Sequence, residues 1–178
     1  MNGFKLCSIE SKKDIDSLYL IFAREDQFLY STNLRFNTKQ SFEKWINDRV
    51  GTDFHDFFLV KDKSKNNLIG YVHDYDFSLI DGHCKLTLYI DEEYRKTGIG
   101  GFVAINFIKY LFSRYPLRKV YSTIYDYNSV SLNSNFAAGF VEEGVIGDYR
   151  YHGGEYYAIH YLSMSREKFD DSIGKLVR

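Results

Sequence analysis

The sequence predicts an α/β (α+β) fold, a mixed sheet with helices on both faces, in the order β-α-α-β-β-β-α-β-α-β-β. Three observations carry this. Short apolar runs with strand character, such as Phe57-Phe58-Leu59-Val60 and Leu86 to Ile90, recur along the chain. Between them lie segments with apolar residues at helical spacing, such as Ile15, Leu18, Tyr19 and Phe22. Glycine-, asparagine- and aspartate-bearing turns separate the two kinds of segment.

Taken in order, Phe4 to Ile9 reads as a first strand. Ser11 is a natural N-cap for a helix reaching Arg24, because its hydroxyl can accept from a free N–H of the first turn. A polar, aromatic connection follows from Glu25 to Asn37. Thr38 then caps a second helix, with Phe42, Trp45, Ile46 and Val50 on one face. Strands follow at Asp56–Asp62, Asn67–Phe77 and His83–Asp91, with turns at 63–66 and 80–82. A strongly apolar segment from Phe102 to Phe112 reads as a helix that stops at Tyr115-Pro116, since proline cannot continue it. Lys119 to Tyr125 is the next strand and Ser129 to Ala138 a helix. Phe140–Ile146 and Tyr156–Met164 close the fold as a hairpin around Gly153-Gly154.

The chain has 178 residues, 44% of them hydrophobic and 26% charged, which suits one ordinary domain over residues 1–178. No repeat or low-complexity linker divides it. A formal net charge of −1 gives no electrostatic footprint for nucleic acid or an anionic membrane. No apolar run is long enough to span a bilayer, and Met1-Asn2-Gly3-Phe4-Lys5 does not read as a secretory leader. Cys7 and Cys84 both fall in apolar strands, so buried free thiols and a cytoplasmic setting are expected. The histidines show no metal-ligand spacing, and no metal is expected.

The stretch Arg95-Lys96-Thr97-Gly98-Ile99-Gly100-Gly101 lies between a strand and a helix. A strand turning through glycines into a helix start gathers free N–H groups and the positive end of the helix dipole, a ready seat for a pyrophosphate. The pattern is R-x-x-G-x-G, with neither a Gly-Lys-Ser/Thr ending nor a G-x-G-x-x-G. It resembles the acyl-CoA pyrophosphate loop of the GCN5-related N-acetyltransferases (GNAT family). The three strands before the loop, and Asn128-Ser129-Val130-Ser131 followed by Gly139-Phe140-Val141, resemble that family in the same order. The resemblance runs from about Phe57 to Phe169.

The resemblance implies the GNAT acyl-CoA N-acyltransferase fold, with the fourth and fifth strands splayed to admit acetyl-CoA. It implies acetyl transfer to a primary amine by direct attack in a ternary complex. Arg95, Lys96, Thr97, Gly98, Ile99, Gly100 and Gly101 would hold the pyrophosphate. The strand edge Leu88-Tyr89-Ile90 would pair with the pantetheine amides and aim an N–H at the thioester oxygen. Asn128 and Ser131 would contact the cofactor arm, and Asn128 also reads as a plain helix cap.

The proton path departs from the family pattern. In N-x-x-S-x-x-x-Y-x-x-x-G-F the tyrosine is the usual acid for the departing thiolate, and Asn135 stands in its place. Asparagine can donate a hydrogen bond but delivers no proton. Tyr125 and Tyr127 are the substitutes, with packing as the plainer reading of each. His83 has the intrinsic pKa of a base near neutrality, although an exposed turn histidine is its plainer reading. Asp74 and Asp76 could act through a water or hold a cation.

The second half most resembles the branch of ribosomal-protein N-terminal and spermidine acetyltransferases, but Ala158 stands where relatives often carry an aspartate. The acceptor pocket is expected from Phe28 to Phe36 and the hairpin before the last strand. Those loops are aromatic and only mildly acidic, so a small-molecule or peptide amine fits better than a polyamine. A homodimer is compatible with the surface aromatics. The competing reading is a module on the same fold that binds acyl-CoA, as ligand or sensor, without turnover.

Overall fold

The computed structural model describes the backbone of residues 3–31 and 34–176 and the side chains up to Asp171. The elements are β1 (Phe4–Cys7), α1 (Lys12–Phe22), α2 (Glu25–Tyr30), α3 (Lys39–Asn47), β2 (Phe57–Asp62), β3 (Leu68–Ser78), β4 (His83–Ile90), a 3-10 turn (Glu92–Tyr94), α4 (Ile99–Arg114), β5 (Lys119–Tyr125), α5 (Ser129–Ala137), β6 (Val141–His152), β7 (Glu155–Ser165) and α6 (Arg166–Leu176). The strands form a seven-stranded mixed sheet in the order β1-β2-β3-β4-β5-β7-β6. β4 and β5 pair in parallel, through His83↔Lys119, Cys84↔Val120 and Lys85↔Tyr121.

The expected element types hold. Ser11 accepts from the Asp14 N–H at 3.2 Å and Thr38 from the Ser41 N–H at 3.1 Å, so both helix starts are capped as their sequences suggest. Two helices are additional. α2 forms inside the connection expected to be irregular, where Glu25 and Asp26 favour a helix start and its other bonds are tertiary. α6 follows β7 without a break. β6 continues past Ile146 to His152, absorbing Gly147 and Asp148 in a register shift between Ile146 and Arg150. Val50 lies beyond α3 and is exposed, unlike Phe42 and Ile46.

The chain divides into two compact units, Met1–Tyr75 with Thr87–Phe107, and Asp76–Leu86 with Ile108–Arg178. The first is built on an aromatic core. Leu18, Ile21, Phe22, Phe42, Ile46, Phe57, Leu59, Tyr71 and Tyr89 form one buried cluster. Tyr71 stacks on Phe22 with ring centroids 4.9 Å apart and on Tyr89 at 5.9 Å. Gly70 lets two backbones approach here: a Cβ on it would lie 2.2 Å from the Tyr89 carbonyl oxygen.

In the second unit β5 alternates, burying Val120, Ser122 and Ile124. Arg166, at the start of α6, donates to the carbonyls of Phe112 (2.7 Å), Tyr115 (2.7 Å) and Leu117 (2.8 Å). One guanidinium thereby satisfies acceptors at the α4 C-terminus, where intrahelical donors run out.

Candidate cofactor and catalytic site

The glycine loop takes its shape from local chemistry. β4 ends at Ile90, and the Asp91 N–H donates to the Ile69 carbonyl at 2.8 Å. The 3-10 turn follows, and the Thr97 hydroxyl donates to the Tyr94 carbonyl at 2.6 Å. Lys96 and Gly98 take left-handed backbone conformations, with φ of 63° and 85°. α4 then begins at Ile99, and Phe102 makes the bond that opens its ladder, donating to the Gly98 carbonyl at 3.2 Å. The N–H groups of Ile99, Gly100 and Gly101 therefore precede the intrahelical ladder, and α4 directs its positive dipole end through them.

The three glycines have different reasons to be there. Gly98 needs its φ. Gly100 does not: a Cβ would sit 3.9 Å from Ile90 and Leu88 side-chain carbons, ordinary contact. Around Gly101 a Cβ would meet nothing within 4 Å. The fold would accept side chains at both, so the space over the helix start is left open for something other than the protein. That is the fit a pyrophosphate requires.

Arg95 is placed differently from a free phosphate ligand. Its Nε donates to the Ile90 carbonyl at 2.8 Å and its Nη2 to Asp26 Oδ2 at 2.6 Å. Its guanidinium lies over the rings of Tyr89 (5.3 Å) and Tyr30 (5.5 Å). Lys96 and Thr97 are exposed beside it. Along β4, the Leu88 side chain reaches toward Gly100, whereas Tyr89 buries its ring and donates its hydroxyl to Asp26 at 2.9 Å. Burial and the neighbouring Asp26 push the Tyr89 phenol well above its ordinary range, so it stays a proton donor. Asp26 goes the other way. Burial disfavours its charge, but hydrogen bonds from Tyr89 and Arg95 and the charges of Arg24 and Arg95 outweigh that and hold it below the usual carboxylate range.

The remaining expected residues lie in the second unit. Asn128 caps α5, its side-chain oxygen accepting from the Ser131 N–H at 3.3 Å. Asn135 turns back on its own helix and donates to the Ser131 carbonyl at 2.9 Å. Tyr125 stacks on Tyr127 with centroids 5.3 Å apart, and Arg150 lies over its ring. His83, the first residue of β4, packs edge-on against Tyr121, and its Nδ1 is buried without a hydrogen-bond partner among the described residues. Asp76 is paired with Lys85 at 2.8 Å, and the hydrogen bond from Lys85 lowers its pKa.

In the first unit Asp74 is fully buried. Burial lifts its pKa to about 7, against a hydrogen bond from the Asp56 N–H at 2.5 Å. Its side chain is closed off from solvent. The expected acceptor segment from Phe28 to Phe36 includes Thr32 and Asn33, which lie outside the described residues. Among the described residues no group of three or more His, Cys, Asp and Glu is arranged to hold a metal.

Three residues had escaped sequence reasoning. Gly70 carried a signal, a glycine inside an otherwise apolar strand, which marks close backbone approach. Asp26 carried none, since Tyr89 and Arg95, which tie it to the cofactor strand and loop, lie more than sixty positions away. His160 likewise meets carboxylates only through the sheet. Its Nδ1 binds Glu142 at 2.7 Å and its Nε2 binds Asp126. Burial opposes its charge, but the two carboxylates outweigh this and raise its pKa.

Comparison with known proteins gives the family and the fold. The family described as acetyltransferase (GNAT) domain matches residues 8–160. An SPbeta prophage-derived uncharacterized N-acetyltransferase of Bacillus subtilis (strain 168), YokL, is 26% identical over 127 residues, 71% of each chain. The spermidine N-acetyltransferase of Vibrio cholerae, solved with CoA and spermine, superposes with a TM-score of 0.85 at 19% identity, covering 95% of this chain and 99% of that one. A chimera of that enzyme with hSSAT gives a TM-score of 0.84 at 19% identity, covering 96% and 99%. At that identity the likeness establishes a shared fold.

Proposed function

The chain belongs to the GCN5-related N-acetyltransferase family, and on that premise we propose that it moves an acetyl group from acetyl-CoA to a primary amine of a small molecule or peptide. The observation that carries this reading is the helix start at Gly98–Gly101, where the fold leaves two glycines with room for side chains it does not use. Acetyl-CoA supplies the activated acyl group and a thiolate leaving group. The chain supplies position: N–H groups and the α4 dipole for the pyrophosphate, the exposed cation of Lys96, and the backbone of Leu88 to Ile90 for the pantetheine arm. Asn128 and Ser131 are assigned to the cofactor arm.

Asn135 is bonded within its own helix, so the acid role passes to Tyr125, or the thiolate leaves unprotonated, which suits a group with an ordinary pKa of about 8.5. His83 remains the assigned base. Asp76 is paired with Lys85 and Asp74 is buried, so neither competes for that role.

On α2, which leads into the expected acceptor segment, Asp26 is bound to Arg24 and Arg95, and Glu25 to Arg35 at 2.5 Å. With both already paired, an acceptor of low charge fits better than a polycation. We also assign the chain to the cytoplasm, where acetyl-CoA and the free thiols of Cys7 and Cys84 belong together. No described helix is long and apolar enough to cross a membrane. A homodimer through the outermost strand β6 would cover Val145, Ile146 and Tyr149, all about half exposed. We assign residues 1–178 to a single acetyltransferase domain, a reading supported by a family match over residues 8–160.

The test is release of free CoA thiol from acetyl-CoA against spermidine, aminoglycosides, amino-sugar nucleotides and short peptides, alongside a melting curve with CoA. Turnover on one amine class with stabilisation by CoA is expected. Stabilisation without turnover on any class would favour the non-catalytic binding module, and no stabilisation would reject the assignment.

A further inference from the structure

α2 is six residues long, too short to be stable by itself, and is fastened to the cofactor strand at both ends. At its start, Asp26 accepts from Tyr89 Oη (2.9 Å), Arg95 Nη2 (2.6 Å) and Arg24 Nε (3.1 Å). Arg24 also binds Asp91, the residue after β4. In its first turn buried Gln27 donates to Tyr71 Oη of β3 at 2.7 Å, and at its C-cap the Ser31 hydroxyl lies 3.0 Å from the Thr87 hydroxyl of β4. Arg95 is therefore shared. It is the first residue of the glycine loop, it ties that loop to the last carbonyl of β4, and it holds the helix from which the acceptor-side segment departs.

We infer that Asp26 is a positioning residue: through Arg95 it couples occupancy of the cofactor loop to the order of α2. This deepens the proposed function and rests on it. The loop needs a left-handed Lys96 directly after Arg95, and an anchored Arg95 fixes where that turn begins. A ligand that holds the loop steadies Arg95, hence Asp26, hence α2. By reciprocity, a free Arg95 weakens the ligand.

The experiment uses CoA alone, with no acceptor needed. In the unmodified protein, CoA should slow amide exchange in the peptide Glu25–Ser31. Asp26→Asn keeps the size but removes the charge and replaces one of the two accepting oxygens with a donor. It should weaken CoA binding about tenfold, within the usual range of coupling between sites, and abolish the slowing at Glu25–Ser31. Arg95→Gln should do the same, and the double variant should be no weaker than either single one. Should Asp26→Asn fail to fold, Arg95→Gln alone carries the prediction.

Unchanged CoA affinity in Asp26→Asn would overturn the inference. So would no exchange response at Glu25–Ser31 in the unmodified protein, or losses that add in the double variant. Failure of the unmodified protein to bind CoA would instead remove the proposed function, and this inference with it.

Discussion

Gly70 and Gly100 are both glycines in regular elements of the first unit, and they are glycine for opposite reasons. At Gly70, in β3, the place of a Cβ is taken by the protein itself, 2.2 Å away at the Tyr89 carbonyl. At Gly100, in the first turn of α4, the nearest atoms would be at 3.9 Å, and the fold gains nothing from the missing side chain. A glycine in a helix costs about 0.5–1 kcal/mol relative to alanine, so the fold accepts a small loss at Gly100 and makes a necessary approach at Gly70. The difference separates residues that serve the fold from residues that serve a ligand, without any ligand in view.

The largest effect that would break this contrast lies at Gly70. Gly70→Ala forces a Cβ against backbone that cannot swing aside, and overpacking of that kind costs about 1–3 kcal/mol, occasionally more. The expected result is a large fall in melting temperature, with CoA affinity lost only as the fold is lost. A Gly70→Ala protein that melts like the unmodified one would show that β3 and β4 can part, and the contrast would dissolve.

A smaller effect sharpens the account through pH. Asp74 has its pKa raised from 3.8 to about 7 by burial, so its contribution to stability is full below pH 3.8 and is lost as pH rises through about 7. His73 has its pKa lowered from 6.5 to about 3, chiefly by burial, so it contributes above pH 6.5 and loses that contribution as pH falls. The two oppose each other from about pH 4 to 6.5. His160, raised above 6.5 by Glu142 and Asp126 against burial, adds a loss of stability as pH rises above 6.5. Melting curves should therefore show Asp74→Asn gaining most over the unmodified protein near pH 7, while His160→Gln removes the decline on the alkaline side. Parallel pH profiles for all three proteins would contradict these assignments.

How much of this was legible in the sequence follows from how local each cause is. The loop was legible because Gly98, Gly100 and Gly101 sit between a strand and an apolar helix, and the caps at Ser11 and Thr38 were legible because an N-cap acts within three residues. α2 was not, because six residues are too few to show a period, and Gln27 and Asp26 are held by Tyr71 and Tyr89 across more than forty positions. The end of β6 was misplaced because Gly147-Asp148 looks like a turn, while the sheet absorbs it as a shift in pairing. The structural attachments of Arg95 were hidden for the same reason as α2: the sequence shows a cation beside a glycine loop, and only the fold shows the carboxylate already bound to it.

The most direct test of the central claim is Gly100→Ala, read by melting temperature and CoA affinity together. The account predicts that the two move in opposite directions. Melting temperature should stay or rise, since alanine favours a helix and meets no close neighbour, while CoA affinity should fall at least about tenfold, or about 1.4 kcal/mol. A variant that binds CoA as tightly as the unmodified protein would contradict the assignment of this helix start as the cofactor seat. A variant that loses stability would show that Gly100, like Gly70, belongs to the fold.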